Sequence, residues 1–355
     1  MRARLLLLFV SCVLAAAADF RGAQFIGFER FEGFERTLRE GELLLVSPKI
    51  ETSIPWNELI ASWNFRGMRS DGLEVEAKAI YPARETKWYS LGKWALETKT
   101  FPRESVRGQK DEDGTVDTDI LKLTERAKAA QVRITIRGTN GIGALKFLGL
   151  SFCDTSAHRE PMKPNKDVWG TALQVPERSQ AEFPEGISEW CSPTSVSMML
   201  GYWAAKLSRD DLKHDVPEVA AAVRDPNWPG TGNWPFNVGF AGCHGGMRAY
   251  VARFSDVAEL EEWVKAGVPV AISVRYGFLK GQKERGGGHL VVCIGFDEKG
   301  NVIFNDPGRR QVRQTYLREN VVKAWAESAN TVYLVYPENF KVPMNRFGRW
   351  YAPTN

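Results

Sequence analysis

Cysteine is scarce in this chain. There are five in 355 residues, Cys12, Cys153, Cys191, Cys243 and Cys293, widely scattered and without a CxxC pair. That excludes a disulfide-built scaffold and the common zinc-ribbon spacing. A dominant charge is missing too. With 47 basic and 43 acidic residues the formal charge is +4, far from the basic excess of a dedicated nucleic-acid binder, so no nucleic-acid partner is expected. Past the N-terminus no stretch is apolar for long enough to cross a bilayer as a helix, so no transmembrane segment is expected in the mature chain. Internal repeats and low-complexity tracts are absent as well.

What is present begins with the N-terminus. Arg2 and Arg4 precede the apolar run Leu5 to Leu14, and Ala16-Ala17-Ala18 stands before Asp19. A positive start, a short apolar run and a small-residue site make a secretory signal over residues 1–18, cut near Ala18. An uncleaved anchor is the alternative, and Phe9-Val10-Ser11-Cys12 is a poor lipoprotein match. The expected mature protein is secreted or periplasmic. Losing Arg2 and Arg4 takes its charge from +4 to +2.

Two halves follow, with different patterns. Between about Glu40 and Phe152 the period is two: Leu73, Val75, Ala77, Ala79 and Tyr81 alternate with Glu74, Glu76 and Lys78. Val132, Ile134 and Ile136 alternate with Arg133, Thr135 and Arg137. Such strands have one dry and one wet face, and Gly/Asp/Asn clusters separate them. The expectation is an antiparallel β-sandwich over residues 19–154. A polar, proline-containing linker follows over 155–168. Beyond it, Pro193 to Ala205 reads as a helix with proline in its first turn. Val257 to Ala266 reads as a second, capped by Ser255 or Asp256 and stopped by Gly267. Val268 to Arg275, His289 to Phe296, Val302 to Asn305 and Thr331 to Tyr336 read as strands. Helices followed by strands make an α+β domain over 169–340, leaving a tail over 341–355.

Chemistry concentrates around Cys191, at the entrance of the first of these helices. A thiol there feels the positive end of the helix dipole and unpaired backbone N–H groups, which favour thiolate. A small buried hydrophobe is the competing reading. His289 opens a strand after Gly286-Gly287-Gly288, and the turn Asp297-Glu298-Lys299-Gly300 sends the chain back through Val302 to Asp306. With the turn centred between Glu298 and Lys299, position 289 falls opposite roughly position 308. Asp306 then lies at the same end of the hairpin as His289, within side-chain reach. A carboxylate beside an imidazole fixes its tautomer and stabilises its protonated form, as a Cys–His enzyme requires.

These residues resemble a known family. Gln180, Trp190-Cys191-Ser192-Pro193-Thr194-Ser195, Gly288-His289-Leu290 and Asn305-Asp306-Pro307 together resemble the peptidase C39-like family of papain-like cysteine peptidases. The segment Gly232-Asn233-Trp234-Pro235-Phe236-Asn237 is similar to a loop of its stand-alone secreted bacterial members. The resemblance covers about Trp169 to Tyr336 and implies a papain-like fold. It implies Cys191 as nucleophile, His289 as general base and acid, Asp306 as orienting residue and Gln180 as oxyanion donor. Trp190, Gly288, Trp234 and Asn237 are the implied substrate-contacting positions. Bacteriocin-processing members are fused to a membrane transporter and cut after a double glycine. This chain carries a signal and an N-terminal β-domain instead, so that specificity is not carried over.

The expectation is an exported cysteine peptidase acting on peptide or protein substrates through an acyl-thioenzyme. A non-catalytic peptide- or cell-wall-binding protein on the same fold and an acyl-enzyme transferase are the rivals. No cofactor or metal is expected. His289 and Cys293 are four apart on a strand, about 13 Å, too far to grip one ion; Cys243-His244 alone is a weak zinc signal. Asp111, Asp113, Asp117 and Asp119 form an acidic turn that suits solvent better than calcium. Trp56, Trp63, Trp88 and Trp94 are candidates for a sugar platform, with core packing the stronger reading. The β-domain is left open between binding glycan or cell wall and a stabilising or inhibitory role, as is a disulfide between Cys153 and Cys243.

Overall fold

The computed structural model describes residues 20–138, 141–228, 230–343 and 347. The expected signal segment, residues 1–18, and Cys12 lie outside them. Two domains are built on two antiparallel sheets. The first sheet holds β1 (Ala23–Phe28), β2 (Glu35–Arg39), β3 (Glu42–Val46), β4 (Ile50–Phe65), β5 (Gly72–Ile80), β6 (Tyr89–Ala95), β7 (Gly114–Asp117), β8 (Ile120–Arg137) and β9 (Leu145–Cys153). The second half begins with β10 (Thr171–Ala172), then α1 (Cys191–Leu207), α2 (Val216–Val223), α3 (Trp234–Gly242), β11 (Met247–Arg253), α4 (Val257–Lys265) and β12 (Val270–Arg275). It continues with α5 (Tyr276–Leu279), β13 (Gly288–Phe296), β14 (Val302–Asn305), β15 (Arg313–Tyr316), α6 (Arg318–Ala326) and β16 (Thr331–Pro337).

The period-two pattern dictates the first sheet. Leu73, Val75, Ala77 and Ala79 of β5 and Val132, Ile134 and Ile136 of β8 are all buried. On the other face Glu76 and Arg133 stand directly opposite and make two hydrogen bonds, at 2.5 and 2.6 Å. The strands join into one nine-stranded sheet in which the long β4 and β8 each change partners along their length. Pro55 lies within β4, where the pairing with β8 breaks register between Glu51 and Trp56. A residue without an N–H is tolerated in a strand only where the ladder is interrupted.

Trp56, Trp63 and Trp94 are fully buried, and Trp88 lies beneath Lys78 and Arg133. The four therefore make no open platform for sugars. Trp63 and Trp94 pack around Phe236 of α3, with ring centroids 6.3 and 5.6 Å from it, so the core runs without a break from one domain into the other. The acidic turn is also spoken for. Asp111 takes Lys87 and Tyr89, Asp113 takes Arg84 and Asp117 takes Lys122. Asp119 turns inward to the Asn233 amide at 2.6 Å.

The second sheet runs β11-β16-β12-β13-β14-β15, so β11 is an edge strand. Its outward backbone groups are met by a row of side chains two residues apart at the end of β4. Ser62 Oγ accepts from Val251 N at 2.9 Å. Asn64 accepts from Ala249 N at 3.2 Å and donates to Ala249 O at 2.7 Å, and Arg66 donates to Met247 O at 2.6 Å. Side chains thus stand in for a missing neighbouring strand and close an edge that would otherwise pair elsewhere.

Two helices match the sequence expectation closely. α1 starts at Cys191, and α4 is capped by Asp256, whose carboxylate accepts from Ala258 N at 2.8 Å. α3 corrects it: the Trp234–Asn237 segment is the first turn of a helix and not a loop. Asn233 caps Phe236 N at 3.3 Å and Pro235 occupies the first turn. Both signals were in the sequence but were masked by the surrounding Gly, Pro and Trp residues. The linker is docked as well: Asn165 N donates to Glu261 of α4 at 2.6 Å, and Trp169, just beyond it, donates to the same carboxylate at 3.0 Å.

Candidate active site

α1, β13 and β14 bring three side chains together. Cys191 is the first residue of α1, where no helical carbonyl precedes the backbone N–H groups. The N-terminal turn is pinned from below by Ser192 Oγ and the Tyr333 hydroxyl of β16 at 3.0 Å. The hairpin follows the register expected from its turn. Val292 pairs with Asn305, the alignment that sets 289 against 308, and an irregularity between Cys293 and Gly295 absorbs a one-residue difference nearer the turn. A Cβ placed on Gly308 would lie 3.0 Å from His289 Cε1, so the two positions do abut.

His289 Nε2 and Asp306 Oδ1 are 2.7 Å apart, both groups buried. That leaves the other ring nitrogen on the Cys191 side, and the imidazole and the thiol act on each other's charge. Asp306 is held from every side. Gly308 N donates to Oδ1 at 2.9 Å, and the hydroxyls of Tyr276 and Tyr316 donate to Oδ2 at 3.0 and 2.5 Å. The Tyr276 ring also covers the imidazole, centroid to centroid 4.1 Å. Neither tyrosine was singled out in the sequence. Tyr276 stands after β12 and Tyr316 on β15 opposite Val302, and no local spacing ties either to Asp306.

The electrostatics follow from these contacts. Burial pushes the Cys191 thiol up, but the hydrogen bond and charge of His289 and the N–H groups of Leu290 and Ser192 outweigh it and bring it below its ordinary value. Burial alone would lower His289; the bonds to Asp306 and Cys191 instead push it up to about 9. Burial would raise Asp306, and His289, Tyr316 and Gly308 N hold it down. The favoured form is a thiolate–imidazolium pair steadied by a carboxylate, the charge state of an activated sulfur nucleophile. The other thiols differ. Burial pushes Cys243 and Cys293 up to about 12. All four described cysteines are free, and Cys153 and Cys243 are not bonded to each other.

Gln180 sits beside this group, its segment tied to the residue after Asp306: Gln180 N donates to Pro307 O at 2.9 Å. Its side-chain Nε2 donates to Ile187 O at 2.6 Å, which uses one of two amide hydrogens. Trp190 precedes Cys191 directly, half-buried against Phe183, and Gly288 is exposed next to His289. The other two expected contacts are placed differently. Asn237 is fully buried, its amide donating to Thr231 O and Asn233 O at 2.7 and 2.8 Å, so it shapes the chain before α3 and offers substrate no face. Trp234 packs against the core near Arg253. That chain is nonetheless joined to the nucleophile's segment, since Thr231 Oγ1 donates to Glu189 O at 2.8 Å.

Both halves of the chain resemble known families. Residues 172–333 match the model of the peptidase C39-like family, and residues 32–149 match the peptidase C39 N-terminal domain. No curated protein matches the chain. Among solved structures, one described as a proposed C39-like peptidase from Bacillus anthracis is 20% identical over 50% of this chain and 98% of its own, with a TM-score of 0.32. No helix among the described residues is long and apolar enough to cross a membrane. The chain thus carries a peptidase C39 N-terminal domain followed by a peptidase C39-like domain.

Proposed function

We propose that the chain is an exported thiol peptidase with a papain-like catalytic domain behind a β-sandwich, hydrolysing peptide bonds through an acyl-thioenzyme. The observation that carries this reading is the buried His289–Asp306 pair beside Cys191 at the helix entrance, with charges that favour the thiolate. The Cys191 sulfur attacks the peptide carbonyl carbon and forms a C–S bond. The imidazolium proton of His289 passes to the departing amine nitrogen as the C–N bond breaks. His289 then takes a proton from water, whose oxygen attacks the thioester; the C–S bond breaks and the thiolate returns. Asp306 keeps the imidazole in position. The second amide hydrogen of Gln180 and the Cys191 backbone N–H serve as the oxyanion donors in this reading. Trp190 and Gly288 flank the substrate carbonyl.

The test is labelling with an iodoacetamide probe near pH 7, combined with digestion of a peptide library. Cys191 should react well ahead of Cys243 and Cys293, and cleaved peptides should appear. An unlabelled Cys191 and an intact library would sink the proposal and favour a binding protein on a peptidase fold.

The charge state also predicts the pH profile. Activity needs thiolate and imidazolium together. It should fall on the alkaline side as pH rises through about 9, where His289 loses its proton, and on the acid side as the lowered Cys191 thiolate is protonated. An alkaline arm near 6.5, the ordinary imidazole value, in initial-rate measurements would contradict the ion pair. Tyr316→Phe removes one donor from a charged acceptor, worth about 1.5–3 kcal/mol. A fall of roughly tenfold or more in kcat with KM little changed is expected, because the ring still fills its place.

A further inference from the structure

A second cluster of titratable groups lies outside the candidate active site. His214, just before α2, and His244, just after α3, face each other with their Nε2 atoms 2.6 Å apart. Each ring's other nitrogen already has an acceptor. His214 Nδ1 is 2.8 Å from the Glu218 carboxylate, and His244 Nδ1 is 3.3 Å from Ala241 O. In the neutral tautomer that serves both acceptors, each ring carries its proton on Nδ1. Two Nε2 lone pairs then point at each other across a distance short even for a hydrogen bond. A cation between them satisfies both lone pairs; the competing arrangement is a proton on one Nε2, with His244 Nδ1 then facing the Cys243 thiol at 3.8 Å.

We propose that His214 and His244 are a binding site for a divalent transition-metal ion of the nickel, copper or zinc class, held between their Nε2 atoms. Nδ1 bonded to a carboxylate or a backbone carbonyl is the outer arrangement that orients metal-binding histidines and raises their basicity, and imidazole suits these ions. Tetrahedral bonds of about 2.0–2.1 Å set two ligand nitrogens about 3.3 Å apart, so a modest opening of the pair suffices. Among the described residues no group of three or more His, Cys, Asp or Glu side chains gathers around an ion. The two imidazoles are the protein ligands and water completes the shell.

The surroundings hold the rings ready. His214 O accepts from Ser197 Oγ of α1 at 2.6 Å and from Arg178 at 2.8 Å, which fixes its backbone. The Phe240 ring stands edge-on to both imidazoles, 5.2 Å from each centroid. A bound ion would tie the start of α2 to the end of α3, the helix on which the two domains meet.

The test uses the full chain carrying Cys191→Ser, so that the active-site thiol does not compete for metal. Calorimetric titration with zinc chloride or nickel chloride should show one ion per chain at micromolar affinity. The melting temperature should rise by about 5 °C, and EDTA should reverse the rise. His214→Ala and His244→Ala should each weaken binding by tenfold or more. Glu218→Gln, which leaves both ligands in place and guards against loss of fold in the histidine variants, should weaken it less. No saturable binding, or binding unchanged in both histidine variants, overturns the proposal. A bridging imidazole proton seen by NMR in metal-free and zinc-treated protein alike would mean a shared proton only, and would overturn it too. Because the nucleophile is absent throughout, the outcome is independent of whether the chain hydrolyses peptides.

Discussion

Cys191→Ala is expected to reduce peptide turnover by about 10⁵-fold or more while leaving the melting temperature within about 2 °C of the parent. Removal of a nucleophile acting as a unit with its base is on this scale in comparable enzymes. The fold should tolerate the change because the thiol lies at the start of α1 and at the edge of the core. The charges around it say more. His289 is held well above its ordinary value by Asp306 and by the thiol itself, so deleting the thiol should lower the His289 pKa as well as the rate. NMR titration of the imidazole in Cys191→Ala checks this. Turnover within tenfold of the parent would remove Cys191 from the chemistry, and an unmoved His289 would remove the ion pair.

Phe236→Ala should cost about 3–5 kcal/mol, the range for emptying a large aromatic site in a core that cannot collapse around the void. Phe236 is fully buried between Trp63 and Trp94 of one domain while belonging to α3 of the other. The loss should therefore appear as a break between domains as well as a loss of stability. In urea the parent should unfold in one transition, and the variant in two or in one of lower midpoint. Asn64 points the same way. Its amide satisfies both backbone groups of Ala249, and replacing it would leave an edge strand's N–H and C=O buried and unpaired. A variant within about 1 kcal/mol of the parent would mean that the domains do not stabilise each other through α3.

Sequence alone settled the elements whose cause is local. The alternation in β5 and β8 follows from one buried face. The α4 boundaries follow from a cap at Ser255 or Asp256, of which the structure uses Asp256, and from Gly267, at φ +83°, as stop. The meeting of His289 with Asp306 follows from turn position and the two-residue period of a hairpin, so simple register counting reached a contact between residues 17 apart. The helix-entry position of Cys191 was legible for the same reason.

Tertiary structure decided the rest, since no local period connects the partners. The hydroxyls of Tyr276 and Tyr316 reach Asp306 from outside the hairpin. Asn237 read as a cleft residue and is instead spent on the backbone before its own helix. Ser62, Asn64 and Arg66 cover an edge strand about 185 residues further along the chain, a partner no local pattern names. His214 and His244 carry no spacing that joins them, and only the packing of α2 against α3 sets their nitrogens face to face. A pattern repeats along the chain only where one surface imposes it. A contact between distant segments is imposed by how whole elements pack, and no stretch of sequence records it.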